Sequence, residues 1–148
     1  MSTQETAART IIARRQWVDG DRRVEIDIDD NHRMLVVFFG RGSNDGARAL
    51  CKLIDEIRDE IGHDTMMSAL VDMRLVHSAP LLAQAIIGRW LLTRKKQINR
   101  IAVFGGGKLE MSVARAVMTV AGMGKKAFFG AQLTEARAFL DYPADFHT

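Results

Sequence analysis

Two glycine-rich stretches hold the residue types that capture anions. Gly40-Arg41-Gly42-Ser43 and Gly105-Gly106-Gly107-Lys108 each end an apolar run and open a helical one. Glycine lets a phosphate approach the backbone, and free N–H groups at a helix start attract negative charge. Asp72, with His77 and Ser78 five and six residues on, adds a carboxylate, an imidazole and a hydroxyl. If the strands are parallel, all three stretches meet at the carboxyl edge of the sheet, where α/β proteins bind ligands. The candidate site is therefore an anion or nucleotide cleft lined by Arg41, Ser43, Asp72, His77, Ser78, Gly106 and Lys108.

Each signal has a competing structural reading. A phosphate-binding loop of the Walker type needs Ser or Thr after its lysine, but Leu109 follows Lys108, and Ala102 stands where the upstream glycine belongs. In a dinucleotide fingerprint Gly105 and Gly107 fit, while Glu110 takes the place of the third glycine. Glycines also simply permit tight strand-to-helix turns. Ser78 is a plausible helix N-cap, with Pro80 in the first turn. Asp72 can satisfy a neighbouring turn rather than do chemistry. Cys51 lies beside an apolar helical stripe and reads as a small buried filler. His32, His63, His77 and His147 are scattered and have no metal spacing with Cys51. No catalytic residue is assigned, and no metal or cofactor is implied.

A second candidate surface is the helix expected over residues 81–96. It is apolar on most of its circumference, so one sheet face will not bury it. Leu81, Ile87, Trp90 and Leu91, with the basic end Arg94 and Lys95, suit another helix, a second subunit or an anionic lipid surface.

The elements that position these residues follow from periodicity. Residues 24–29 alternate apolar and acidic, a strand with one buried and one wet face. Residues 34–39 are continuously apolar, a strand covered on both sides. Leu50, Leu53, Ile54, Ile57 and Ile61 repeat at helical spacing, with Ser43 or Asn44 as cap and Gly62 as stop. Residues 69–73 form a short buried strand, 100–104 another, and 126–129 the last. Helices are expected from 108 to about 122 and over 135–140. Residues 1–17 read either as a helix carrying Ala7, Ile11 and Ile12 on one face or as a strand, with Asp19-Gly20 favouring a hairpin. The first few residues are expected to fray. The expected fold is α/β, a mixed, mostly parallel five-stranded sheet with about four helices. The chain divides into an extension 1–23, a domain 24–141 and a tail 142–148.

Composition narrows the class. With 148 residues, 47% hydrophobic and 26% charged, the chain is one globular domain rather than a disordered segment. One cysteine gives no disulfide framework, no signal-peptide core is evident, and no apolar run reaches the ~20 residues of a membrane span. A cytoplasmic protein is expected, with peripheral contact to the inner membrane face as an option. The net charge of +3 conceals a division. Residues 19–64 carry 12 acidic and 7 basic side chains, whereas 89–126 carry 9 basic and one acidic. The basic half suits an anionic partner or the acidic half of a second copy. The basic residues are not interleaved with exposed aromatics, and no nucleic-acid motif is present.

The order of these segments resembles SpoIIAA-like proteins, within the wider group of STAS and Sec14-like α/β domains. The residues that carry the resemblance are the hairpin, the Leu70-Val71-Asp72 strand, the long apolar helix, RIAVFGGGK over 100–108 and KKAFFGAQLTEARAFL over 125–140. It covers roughly residues 24–141. In STAS regulators a phosphorylatable serine follows the central strand. Ser78 is the matching position, without the motif's acidic neighbour or its glycine. The resemblance implies a SpoIIAA-like fold and a non-catalytic regulatory or ligand-binding module. Its partner would be a protein, a membrane surface or a small apolar or anionic ligand, and a homodimer is expected. The alternative is a small enzyme or a nucleotide- or phosphate-binding protein using the cleft.

Overall fold

A computed structural model of the chain describes residues 9–78 and 80–148. Six strands form a single sheet in chain order: β1 (Ile11–Asp19), β2 (Arg22–Asp29), β3 (Arg33–Arg41), β4 (Met67–Ser78), β5 (Ile98–Phe104) and β6 (Ala127–Gly130). Only β2 runs against its neighbours, since β3, β4, β5 and β6 pair in parallel. Among the described residues four α-helices connect and follow them: α1 (Asn44–Ile61), α2 (Leu81–Arg94), α3 (Lys108–Val120) and α4 (Leu133–Leu140). Parallel neighbours joined by right-handed crossovers leave α1, α2 and α3 on one face of the sheet.

The sixth strand is β1. Residues 11–19 are a strand paired with β2 through a two-residue turn, Gly20-Asp21, with Gly20 at φ 64°. The helix reading fails from Ile11 onward. Ala7 and the expected fraying lie outside the described residues. β4 is also longer than the short segment expected, because Leu75, Val76 and Ser78 continue the ladder against Phe39, Gly40 and Arg41. His77 and Ser78 therefore end a strand rather than form a turn. Ser78 does not cap α2, whose N-cap position is Pro80 with no side-chain cap bond.

Alternation along the strands divides the core. Val24, Ile26 and Ile28 of β2, and Met34 and Val36 of β3, meet Leu50, Ile54 and Ile57 of α1. Each such side chain contributes about 1.5–3 kcal/mol of burial. The opposite face is covered by α4 and residues 142–146. Leu70, Ala102 and Phe104 pack there with Ala136, Leu140, Tyr142 and Phe146. The segment read as a tail thus supplies two buried aromatics. Tyr142 is anchored by a 2.6 Å hydrogen bond to Ser68.

The acidic face of β2 is less wet than its alternation implies. Asp29 is buried and accepts hydrogen bonds from the Asn31 and Arg33 amides and from Arg9 Nε. These donors hold the β2–β3 turn and offset the cost of burying a carboxylate.

Candidate ligand-binding site

The helix layer does not fill the space above the sheet. A cavity of about 160 Å³ lies between them. Its floor includes Val24, Met34, Val36 and Val71, and its roof Leu50, Ile87, Trp90 and Leu91. Small residues contribute to the gap: Ala47 on α1, Ala83 on α2 and Ala114 on α3 all line it. Elsewhere glycine instead draws elements together. A Cβ on Gly88 would collide with Val117, so α2 lies tight against α3 at that level. Apart from Ser43, Ser68, Gln84 and three arginines, every lining residue is apolar or glycine.

The cavity extends to the carboxyl edge of the sheet, where its lining residue Arg41 is exposed. Gly40, Arg41, Gly42 and Ser43 from the β3–α1 loop border it there, with Val76 from β4. Arg41 is exposed, and its guanidinium makes no ion pair or hydrogen bond among the described residues. Ser43 is occupied as the α1 cap, its Oγ accepting the Gly46 amide at 3.0 Å. The Gly42 amide donates to Ser78 O at 2.7 Å and locks the loop to β4. Serine at the cap position and glycines at the bend are what a short strand-to-helix loop requires.

Of the seven residues proposed from sequence, Arg41 and Ser43 line this cavity and the other five do not. Ser78 meets the rim loop through its backbone, pairing with Arg41 in the ladder and accepting the Gly42 amide at its carbonyl. His77 is exposed. Gly106 packs against Met111 and Met73, and Lys108 begins α3 with its side chain exposed. Asp72 faces the other side of the sheet. Its Oδ2 meets His147 Nε2 at 2.7 Å and Arg74 Nη2 at 2.7 Å, while Oδ1 accepts the Arg74 amide at 3.0 Å and Nε at 3.1 Å. Burial pushes this carboxyl up, but the bonds from His147 and Arg74 outweigh burial and hold it well below the usual carboxylate range. A carboxylate that orients an imidazole is half of a general-base arrangement. No serine, threonine or cysteine side chain hydrogen-bonds to His147 among the described residues. His147 itself is held by Arg137, whose Nη1 donates to the carbonyls of Phe146 and His147.

The second surface divides in the structure. Leu91 is buried, and Ile87 and Trp90 pack on both core clusters of the helix face. Trp90 and Arg94 both bond to Asp55 of α1. The Lys95 carbonyl accepts Lys126 Nζ at 2.8 Å. Leu81 stays exposed, as do Leu82 and Leu92. No helix among the described residues is long and apolar enough to cross a membrane. Burial pushes the Cys51 thiol up to about 12, with the Asp55 carboxylate adding to the effect, so at neutral pH it is a closed, protonated filler.

Sequence reasoning missed most of the lining, including Trp17, Val24 and Ala114. Its only signal was the run of small residues on inward helix faces, and a missing volume leaves no motif. No protein-family model matches the chain, and no curated protein matches it. Among solved structures it superposes on an uncharacterized protein of the DUF3478 family, with a SpoIIAA-like fold, from Shewanella loihica PV-4. The TM-score is 0.55 over 90% of this chain and 95% of that one, at 17% identity. The fold is SpoIIAA-like. At this identity the likeness is one of architecture, and the resemblance read from sequence stands at that level. In this SpoIIAA-like fold the order β3-α1-β4-α2-β5-α3 sets three helix starts and the cavity rim on one edge of the sheet.

Proposed function

We propose that the protein is a non-catalytic binding module that takes a small apolar molecule into the cavity between the sheet and its three-helix layer. The observation that carries this reading is the cavity itself, about 160 Å³ with a mostly apolar lining that extends to exposed Arg41 at the carboxyl edge. An engineered apolar cavity of about 150 Å³ stays dry and admits benzene, so a void of this size suits roughly six to eight non-hydrogen atoms. The alternative, catalysis or nucleotide binding at the edge, draws less support. Among the described residues no hydrogen bond or ion pair joins Asp72, His77 and Lys108, and only one of the two glycine-rich loops borders the opening.

The test uses toluene as the probe. At about ten times its Kd, a one-site ligand stabilises the fold by about 1.4 kcal/mol, or about 4–5 °C in Tm at this size. Trp17 and Trp90 line the cavity, so their emission should titrate with the same midpoint. Ala47→Leu and Ala83→Leu, which fill the space from two helices, should abolish both responses while leaving the proteins folded. A wild-type protein indifferent to toluene, or filled variants that respond as wild type does, would overturn the reading.

A further inference from the structure

Among the described residues, the charged ones that line the cavity are Arg22, Arg23 and Arg41, and no acidic residue lines it. The geometry points to an amphipathic anion as the ligand, an acid whose apolar body enters the cavity and whose negative head meets Arg41 and Arg22 at the rim. This inference rests on the cavity reading above and adds the ligand's charge.

The two arginines come from different elements but share one rim. Gly40 lies so close to the β1–β2 turn that a Cβ on it would collide with Asp21 O and stand 3.3 Å from Arg22 Cα. Arg41 follows directly, so the backbones of Arg22 and Arg41 lie close together. Their present partners differ. Arg23 is committed, 3.0 Å from Glu25 and stacked 4.1 Å over Phe39. Arg22 has only a 3.9 Å approach to Asp19 at a half-open site, a weak competitor for an incoming anion. Arg41 has none. The nearby acids, Asp19, Asp21, Glu25 and Asp45, all lie outside the lining, and Asp45 faces Arg48 at 3.4 Å. A planar guanidinium presents a fork of donors that matches a carboxylate or phosphate oxygen pair. The cavity is too small for a diacyl lipid, so a single short chain or one aromatic ring with an acidic head is the fitting class.

The experiment holds the tail constant and changes the head. Octanoate, 1-octanol and octylammonium are titrated calorimetrically, below their aggregation concentrations, into wild type, Arg41→Ala, the Arg22→Ala/Arg41→Ala double variant and Arg48→Ala. Wild type should bind octanoate about fivefold to tenfold more tightly than octanol, with octylammonium weakest. The preference should shrink as salt is raised. It should fall toward onefold in the double variant and persist in Arg48→Ala, which removes an arginine outside the lining. Equal binding of the three heads, or a preference unchanged in the double variant, would overturn the anionic-head inference and leave the apolar cavity standing. Binding of none of the three by wild type would overturn both.

Discussion

Asp55 and Trp90 are joined by a 3.1 Å hydrogen bond that ties α1 to α2 above the cavity. The same carboxylate accepts Arg94 Nε at 2.7 Å and Nη2 at 2.8 Å, and Arg94 stacks on Trp90 at 5.0 Å. Trp90 and Arg94, which looked suited to a membrane or a partner, therefore meet a helix of their own chain, while Leu81 stays exposed. The ion pair is about a third exposed, and solvent screening limits it to about 1 kcal/mol. Loss of the indole's acceptor adds a comparable amount. Asp55→Ala should lower stability by about 1–2 kcal/mol, read as a reduced urea midpoint at unchanged slope. Asp55→Asn keeps an acceptor for Trp90 and should lose less. Equal losses in the two variants would assign the whole effect to the ion pair and none to the indole bond.

Gly88 sets how closely α2 approaches α3. Alanine would normally gain up to about 1 kcal/mol in a helix interior. Here its Cβ would meet Val117 Cγ1, the stiff end of a β-branched side chain. Overpacking of this kind costs about 1–3 kcal/mol, so Gly88→Ala should be neutral to destabilising despite the propensity gain. Val117→Ala alone loses burial and is destabilising. The double variant Gly88→Ala/Val117→Ala should be more stable than the sum of the single changes predicts, by about 1 kcal/mol or more. Strict additivity in chemical denaturation would mean that the contact carries no strain.

Much of the architecture was legible because it is written locally. The spacing of Leu50, Ile54 and Ile57, the Ser43 cap and the parallel strand runs each need only a few neighbouring residues. What escaped was set by distant partners. Residues 11–19 alternate poorly because Arg15, on the helix face, reaches across to Glu56 and Glu60 of α1. The end of β4 was invisible because polar Arg74 and His77 interrupt the apolar run, while Leu75, Val76 and Ser78 hold the strand by pairing with β3 across two register shifts. Residues 142–147 look like a loop, yet Tyr142 and Phe146 fill the far face and His147 reaches Asp72, 75 positions away. In the candidate site, Arg41 was visible as a charged residue in a glycine loop, but its nearness to Arg22 depends on a hairpin packed against Gly40.

The Asp72 cluster makes an acid-side prediction. Its folded carboxyl lies below the ordinary value of about 3.9, so the unfolded chain binds the proton more readily. The stabilisation is fully present above about pH 4 and is lost as pH falls toward the folded value. Asp72→Asn should cost about 1–3 kcal/mol at neutral pH, because Arg74 and His147 lose a charged acceptor. The gap between wild type and variant should narrow below pH 4 in denaturant melts. A gap that stays constant from pH 7 to pH 3 would remove the carboxylate's charge from the account.

Cys51 reports on the α1–α2 seam. Its thiol is raised to about 12 by burial first and by Asp55 second, with Arg94 acting in the opposite direction. At pH 8 only about one thiol in ten thousand is then ionised, against roughly a quarter for a free cysteine of pKa about 8.5. Reaction with a disulfide reagent in the native protein should therefore be slow and should pass through local opening of the helix layer. Denaturant should make it immediate. Toluene, if it occupies the cavity, should slow the native reaction by stabilising the closed layer, whereas Asp55→Ala should speed it by loosening the seam and removing the nearby charge. Rapid labelling of the folded protein at pH 8 would contradict the burial of Cys51 beneath α2.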